Sequence, residues 1–315
     1  MKLSLVTPAF NEATNLDALH ARIVSVMSGL PFDWEWIVVD DHSRDTTFEC
    51  LQRLAARDPR VRGLRLARNA GSHVAITCGL HQATGDAAVM MAADLQDPPE
   101  TLGQMVARWQ AGAQLVWATR RAQPGERGHA GFAAVYYWVM RRVVGMKEIP
   151  ATGADFFLAD RVVLEAFRQV SERNVSVFAS IAALGFRQEY IEYEKQARAS
   201  GQSGWTLARK IKLVVDSVTA FSAMPIRLCS LAGVALMGIA ILLTAASLWA
   251  LPSLGGGLLF VLATMFGLSG LQMLAIGLVG EYVWRALDEA RQRPVYLVEA
   301  RTADSRTTNP APTIE

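Results

Sequence analysis

Three short segments and two basic loops hold the residues whose chemistry stands out. In VVDDHSRDTT, residues 38–47, Asp40 and Asp41 close an apolar run. A carboxylate at a buried strand end can accept hydrogen bonds from a base or a ribose, as an acid does in other nucleotide-binding sheets. Ser43 and Asp45 just beyond read as turn residues, Asp45 also as a helix cap. In AADLQDPPE, residues 92–100, Asp94 and Gln96 stand two apart, so in an extended chain they face the same way. A carboxylate beside an amide oxygen suits a hard divalent cation such as Mg²⁺, which completes its shell with diphosphate oxygens and water. Asp97 reads as a cap first and a ligand second. Asp97-Pro98-Pro99-Glu100 has an N-cap acid, Pro at the first helical position and Glu at the third. TPAFNEATNL, residues 7–16, lacks the glycines of a phosphate loop, and its Asn11 and Glu12 serve equally as turn and cap residues. In RASGQSGW, residues 198–205, Arg198 and Ser203 can clamp a lipid phosphate or form a plain basic loop. Arg120, Arg121 and Arg127 make a second basic loop suited to a diphosphate or an anionic acceptor.

Positioning these residues requires a layered scaffold. The pattern predicts strands at Leu3–Thr7, Trp34–Asp40, Val61–Leu66, Ala87–Ala93 and Leu115–Ala118. Helices are expected over Asn15–Leu30, Thr46–Arg57, Ser72–Ala83 and Pro98–Gln110, with Gly85 as a left-handed cap after the third. Strands alternating with helices imply right-handed crossovers and a mainly parallel α/β sheet. Ligands bind beyond the carboxyl ends of such strands, where both acidic clusters fall. The aromatic-rich stretch Ala130–Val144 is a core helix or one lying on a membrane surface.

The remaining third of the chain is different in kind. Apolar residues make up 51% of the 315, mean hydropathy is +0.21, and the excess lies near the C-terminus. Residues 228–251 and 258–280 carry no charge and are joined by the short break PSLGGG. Each run is long enough to cross a bilayer core, which takes about 20 helical residues. Arg209, Lys210, Lys212 and Arg227 precede the pair, and Arg285, Arg291 and Arg293 follow it. The expectation is a transmembrane hairpin with both termini cytoplasmic, entered through an interfacial helix over Trp205–Met224. Gly267, Gly270 and Gly277 offer a small-residue face for a homo-oligomer contact. The expected domains are 1–204, an interfacial helix 205–225, a hairpin 226–284 (about 227–251 and 257–282), and a cytoplasmic segment 285–315 whose tail from Thr302 is disordered. The start MKLSLVTPAFNE has too short an apolar run for a signal peptide. A net charge of +2 gives no reason to expect nucleic acid. The scattered Cys50, Cys78 and Cys229 suggest reduced thiols, and the five histidines show no ligand spacing.

Taken together, TPAFNE, VVDDHSRDT, RLARNAGSHVAITCGLHQATGD, ADLQDPPE, the RxxGxS loop and GEYVWRALDEARQRPVY resemble one family. They look like the family 2 inverting glycosyltransferases that act on polyprenyl phosphate, over about residues 3–297. The resemblance implies a GT-A, Rossmann-like catalytic domain at the inner (cytoplasmic) membrane, a UDP- or GDP-linked sugar donor and an undecaprenyl phosphate acceptor. It implies that Pro8, Ala9, Asn11, Glu12, Asp40 and Asp41 line the nucleotide pocket and that Asp94 and Gln96 hold Mg²⁺ or Mn²⁺. It also implies that Asp155 lies near the acceptor and that Arg198 and Ser203 contact phosphates, with Arg120 and Arg127 serving the lipid phosphate. Two departures stand out. Ala92 occupies a position where many relatives have Asp, and Gly204 follows the RxxGxS loop where Lys is frequent.

The implied chemistry is a single displacement that inverts the anomeric carbon. The acceptor phosphate is already anionic near pH 7, with a second pKa of about 6, so the demanding part is the departing diphosphate. A processive polysaccharide synthase is disfavoured by the missing QxxRW and the single hairpin. A dehydrogenase is disfavoured by the missing GxGxxG. A non-catalytic membrane scaffold is the remaining alternative, and Ala92 is its one support.

Overall fold

The computed structural model describes residues 1–121, 154–170, 176–194 and 294–302, with scattered residues between 257 and 290. The stretches 130–144, 198–205, 205–224 and 228–251 lie outside the described residues. The chain divides into two units, Met1–Leu213 with Pro294–Glu315, and Val214–Arg293.

The first unit opens with alternating elements: β1 (Lys2–Ala9), α1 (Ala13–Met27), β2 (Asp33–Asp40), α2 (Thr47–Arg57), β3 (Val61–Leu66), α3 (Ser72–Gln82) and β4 (Ala87–Met90). A 3₁₀ turn (Pro99–Thr101), α4 (Leu102–Gln110) and β5 (Leu115–Arg120) follow. Then come β6 (Ala154–Asp160), α5 (Arg161–Arg168), α6 (Val177–Ala183), β7 (Gln188–Tyr193) and β8 (Val298–Arg301). The eight strands form one sheet in the order β7-β5-β6-β4-β1-β2-β3-β8.

The central strands read as apolar runs because helices cover both of their faces. From Trp34 to Asp40 every residue of β2 is buried. In α1, Leu16, Leu19, Ile23 and Met27 recur at helical spacing and are the buried stripe that packs on the sheet. Trp36, Trp117, Phe156 and Phe157 are the largest side chains sealed in the core.

The sheet is mainly parallel, as the alternation of strands and helices predicts, but not wholly so. β1 lies parallel to β2 and β4, and β2 parallel to β3. β6 inserts between β4 and β5, antiparallel to both. β8 closes the far edge antiparallel to β3. Thr302, the first residue of the expected tail, is held at that edge: Gly63 N–H donates to Thr302 Oγ1 at 2.9 Å, and Thr302 N–H to the Gly63 carbonyl at 2.9 Å. Residues 303–315 lie outside the described residues.

Three smaller expectations also change. β4 stops at Met90 rather than Ala93, and the segment 98–110 divides into a 3₁₀ turn and α4. Gly85 is not a left-handed cap; α3 ends at Gln82, and Ala83 turns into an extended conformation. Gly85 is there because the chain passes close to β1, where an added Cβ would lie 2.7 Å from both Lys2 O and Ser4 N.

In the second unit, every described residue between 257 and 290 is helical. Val261, Met265, Leu268, Ile276, Val279 and Val283 recur there at helical spacing and are all exposed. Among the described residues, no helix is long and apolar enough to cross a membrane.

Candidate active site

Parallel pairing brings the carboxyl ends of β1, β2 and β4 to one edge of the sheet. Register places Ala9 beside Asp40, and Asp41 N–H continues the ladder to the Ala9 carbonyl at 2.8 Å. The two loops leaving this edge are stitched together. Asn11 sits at φ 58, a left-handed conformation that Asn tolerates. Its N–H donates to Ser43 Oγ at 2.9 Å, and its side-chain oxygen accepts from Arg44 N–H at 2.9 Å. Glu12 N–H donates to Thr47 Oγ1 at 2.9 Å, and the Glu12 carboxylate accepts from the Asn15 amide at 2.5 Å. Asn11 therefore sits in the turn and Glu12 at the N-cap position of α1, where its side chain makes no cap hydrogen bond to the backbone. Asp45 accepts from Thr47 N–H at 3.1 Å, at the start of α2.

The paired acids behave differently from each other. Asp41 is pinned, with one oxygen accepting from Ala70 N–H at 2.7 Å and the other from Gly71 N–H at 2.8 Å. Burial pushes its carboxyl above the usual range, against the pull of those two hydrogen bonds. Asp40 is wholly buried, and only its Oδ1 is satisfied, by Ser43 N–H at 2.9 Å. Its Oδ2 has no hydrogen-bond partner, and Arg65 Nη1 stands 3.7 Å away. A buried carboxylate oxygen of this kind can accept from an incoming N–H or O–H.

Beyond β4 the chain turns sharply. Leu95 has φ 62, and Gln96 N–H donates to Asp94 Oδ1 at 3.2 Å. The extended-chain argument for Asp94 and Gln96 is thereby corrected: the two lie in a turn, and it is the Gln96 main chain that meets the Asp94 carboxylate. Asp97 is also corrected. The residue before the 3₁₀ turn is Pro98, and that turn has no side-chain cap. Asp97 is buried instead, accepting from Ala92 N–H at 3.1 Å and from the Tyr193 hydroxyl at 2.9 Å. Glu100 pairs with Arg22 on α1, at 2.6 Å. The Asp94 carboxylate is buried beyond the end of β4, in the turn that follows that strand. Among the described residues no group of three or more His, Cys, Asp or Glu forms a closed metal cage.

β6 runs antiparallel to β4 and β5, so its beginning lies at this same edge. The backbone of Asp155 sits at an irregular step between Ala154, opposite Thr119, and Phe156, opposite Ala118. Arg120 is the last residue of β5 and is half-buried. Arg121 lies 3.5 Å from Glu192. Arg127, Arg198 and Ser203 lie outside the described residues. Sequence reasoning passed over Arg65, His42 and Glu299, which gather beside Asp40, and Tyr193 beneath the Asp94 turn. The one available signal was Arg65, a cation within the strand VRGLRL.

Comparison with known proteins places this geometry among relatives. Residues 4–168 match Glycosyl transferase family 2. An uncharacterised glycosyltransferase of Bacillus subtilis is 33% identical over 95% of this chain and 94% of its own. The bactoprenol glucosyl transferase of Shigella phage SfX is 30% identical over 96% of this chain and 100% of its own. Glucosyl-3-phosphoglycerate synthase from Mycobacterium tuberculosis, solved with Mn²⁺, uridine diphosphate and phosphoglyceric acid, shares the fold. Its TM-score is 0.52 at 17% identity, over 69% of this chain and 78% of that one.

Proposed function

Because the chain belongs to glycosyl transferase family 2, we propose that it moves a sugar from a nucleoside diphosphate onto a polyprenyl phosphate at a membrane face. The observation that carries this reading is the gathering of Asp40, Asp94 and the Asp155 backbone at one edge of the sheet, in a chain similar along nearly its whole length to bactoprenol glucosyl transferases.

In this reading the unsatisfied Asp40 Oδ2 accepts from the donor's base or ribose, and Asp41 holds the loop before α3 that borders it. Asp94 and Gln96 hold Mg²⁺ or Mn²⁺, which when bound neutralises the diphosphate. Arg120, with Arg127, Arg198 and Ser203, carries the lipid phosphate, and Asp155 orients the sugar or the acceptor. The acceptor oxygen attacks the anomeric carbon directly. The bond to the diphosphate breaks as the new one forms, the configuration inverts, and no general base is needed because the acceptor is already an anion.

The membrane part of the proposal is a two-helix hairpin over about 227–251 and 257–282, with catalytic domain and termini on the cytoplasmic side. Exposed apolar side chains at helical spacing, from Val261 to Val283, support a lipid-facing surface. The chain also leaves the first unit at Leu213 and rejoins it at Pro294, which supports a segment that returns to the side it left.

The test is transfer of radiolabelled sugar in purified membranes from UDP-glucose, GDP-mannose or UDP-N-acetylglucosamine to undecaprenyl phosphate, with Mg²⁺ or Mn²⁺. A chloroform-extractable, mild-acid-labile product from one donor, abolished by EDTA, is the expected result. Nucleotide binding with no lipid product from any donor, in the wild type and in Ala92→Asp alike, would favour a scaffold.

A further inference from the structure

We propose that Glu299, on the strand that follows the apolar segment, is a positioning residue for the donor pocket, holding Arg65 and His42 in place behind Asp40. This rests on the reading of Asp40 as a donor contact.

β8 pairs with β3 through Leu64 with Arg301, Arg65 with Ala300 and Leu66 with Val298, and the register shifts between Arg65 and Leu66. Glu299 is the extra residue at that shift. A bulge of this kind re-aims one side chain out of the ladder. Here it sends the Glu299 carboxylate toward the pocket side, with Oε2 3.6 Å from Arg65 Nε and 3.3 Å from His42 Nδ1. His42 is held at φ 58 and also lies 3.0 Å from the Leu66 carbonyl, which can only accept, so Nδ1 carries the proton.

Arg65 is the hub of the arrangement. Nη2 donates to the Ser43 carbonyl at 3.2 Å, Nη1 faces Asp40 Oδ2 at 3.7 Å, and Nε faces Glu299. The side chain is mostly buried, and its guanidinium lies 5.7 Å from the Phe48 ring centre. Two carboxylates thus share one guanidinium. Glu299 draws it toward the sheet edge, so that it neutralises Asp40 from a distance without closing a hydrogen bond on Oδ2. Removing the Glu299 charge lets Arg65 settle onto Asp40 and compete with the donor. Nothing about β8 as a plain edge strand requires a carboxylate at its bulge.

The experiment compares full-length wild type, Glu299→Gln and Glu299→Asp in transfer assays with UDP-glucose, GDP-mannose and UDP-N-acetylglucosamine, alongside thermal melting. Half-exposed ion pairs are weak, so the expected change is a rise of about two- to fivefold in donor KM for Glu299→Gln. The kcat, the lipid KM and the melting temperature should stay in place, with Glu299→Asp returning toward wild type. An unchanged donor KM in an active Glu299→Gln protein overturns the positioning role alone. A joint shift of donor KM, lipid KM and melting temperature overturns it too, by making β8 a purely structural strand. Nucleotide binding with no transfer from any of the three, in the wild type and in Ala92→Asp alike, overturns the proposed function and the positioning role with it.

Discussion

Asp94 and Asp97 lie three residues apart in one turn and should respond to mutation in opposite ways. Asp94 is the proposed cation ligand, and its Oδ1 also accepts from Gln96 N–H. Asp94→Asn keeps an acceptor oxygen there while removing the charge, so the fold should survive. Turnover should fall about 10²–10³-fold, the usual size of losing one preorganised electrostatic contact. Steady-state transfer together with circular dichroism checks both halves. Asp97 is buried and satisfies Ala92 N–H and the Tyr193 hydroxyl. Asp97→Ala strands both donors, at about 1–3 kcal/mol each, and a drop in denaturation midpoint should precede any kinetic effect. A stable Asp97→Ala protein with the turnover of Asp94→Asn would make Asp97 the ligand. Residue types alone could find Asp40, Asp41 and Asp94, because acids at the ends of apolar runs stand out. They could not rank Asp97, since a cap and a buried tether have the same sequence. Glu299 was out of sight because its neighbour Arg65 is remote in the chain.

At the scale of elements, a carboxylate in the middle of β2 locks several elements together. Glu35 accepts from Ser4 Oγ at 2.6 Å and from Thr84 N–H at 2.9 Å, and it lies 3.2 Å from Lys2 Nζ and 3.0 Å from Arg62 Nη1. Burial pushes its carboxyl up, but the hydrogen bonds from Ser4 and Thr84 and the Lys2 charge outweigh that and hold it at about 2. A lowered pKa means that the unfolded chain binds the proton first. The stabilisation is therefore full above the ordinary value of 4.5 and is lost as pH falls toward about 2. The loss is about 3 kcal/mol. Urea midpoints should fall more steeply between pH 6 and pH 3 in the wild type than in Glu35→Gln, which starts lower and keeps only the contribution of other carboxylates held down by partners, such as Asp58. Gly85 gives a second check. Its Cβ would meet main-chain atoms of β1 that cannot move aside, so Gly85→Ala should cost about 1–3 kcal/mol. A neutral substitution there would mean that the chain can shift away from β1 at no cost. The strands β1 to β5 were legible because each is a short β-rich run set between periodic helices. β6, β7 and β8 were not. The strand β6 follows a long interval after β5, and nothing local says that it slots in before β5 rather than after. VEAR has no pattern of its own, and it becomes a strand only because β3 offers an open edge and Gly63 a partner for Thr302.

For the whole molecule, β8 ties the proposed membrane topology to the sheet. Residues 2–9 and 298–301 belong to the same eight-stranded sheet, with residues 214–293 between them forming a unit of their own. A strand can pair with β3 only on the side of the membrane where β3 lies. Any crossing within 214–293 must therefore be matched by a return, whatever the lengths of the helices. The positive charges make the same demand by separate physics, since Arg209, Lys210, Lys212 and Arg227 flank one end of the apolar stretch and Arg285, Arg291 and Arg293 the other. Epitope tags at the two termini should accordingly be cleaved together by protease added to inside-out vesicles and be protected together in right-side-out ones. The protein itself should resist carbonate extraction. Tags on opposite sides would rule out the hairpin and would also be incompatible with β8 in the sheet. Tags on one side with full release by carbonate would keep the sheet and replace the spanning hairpin with helices resting on the surface.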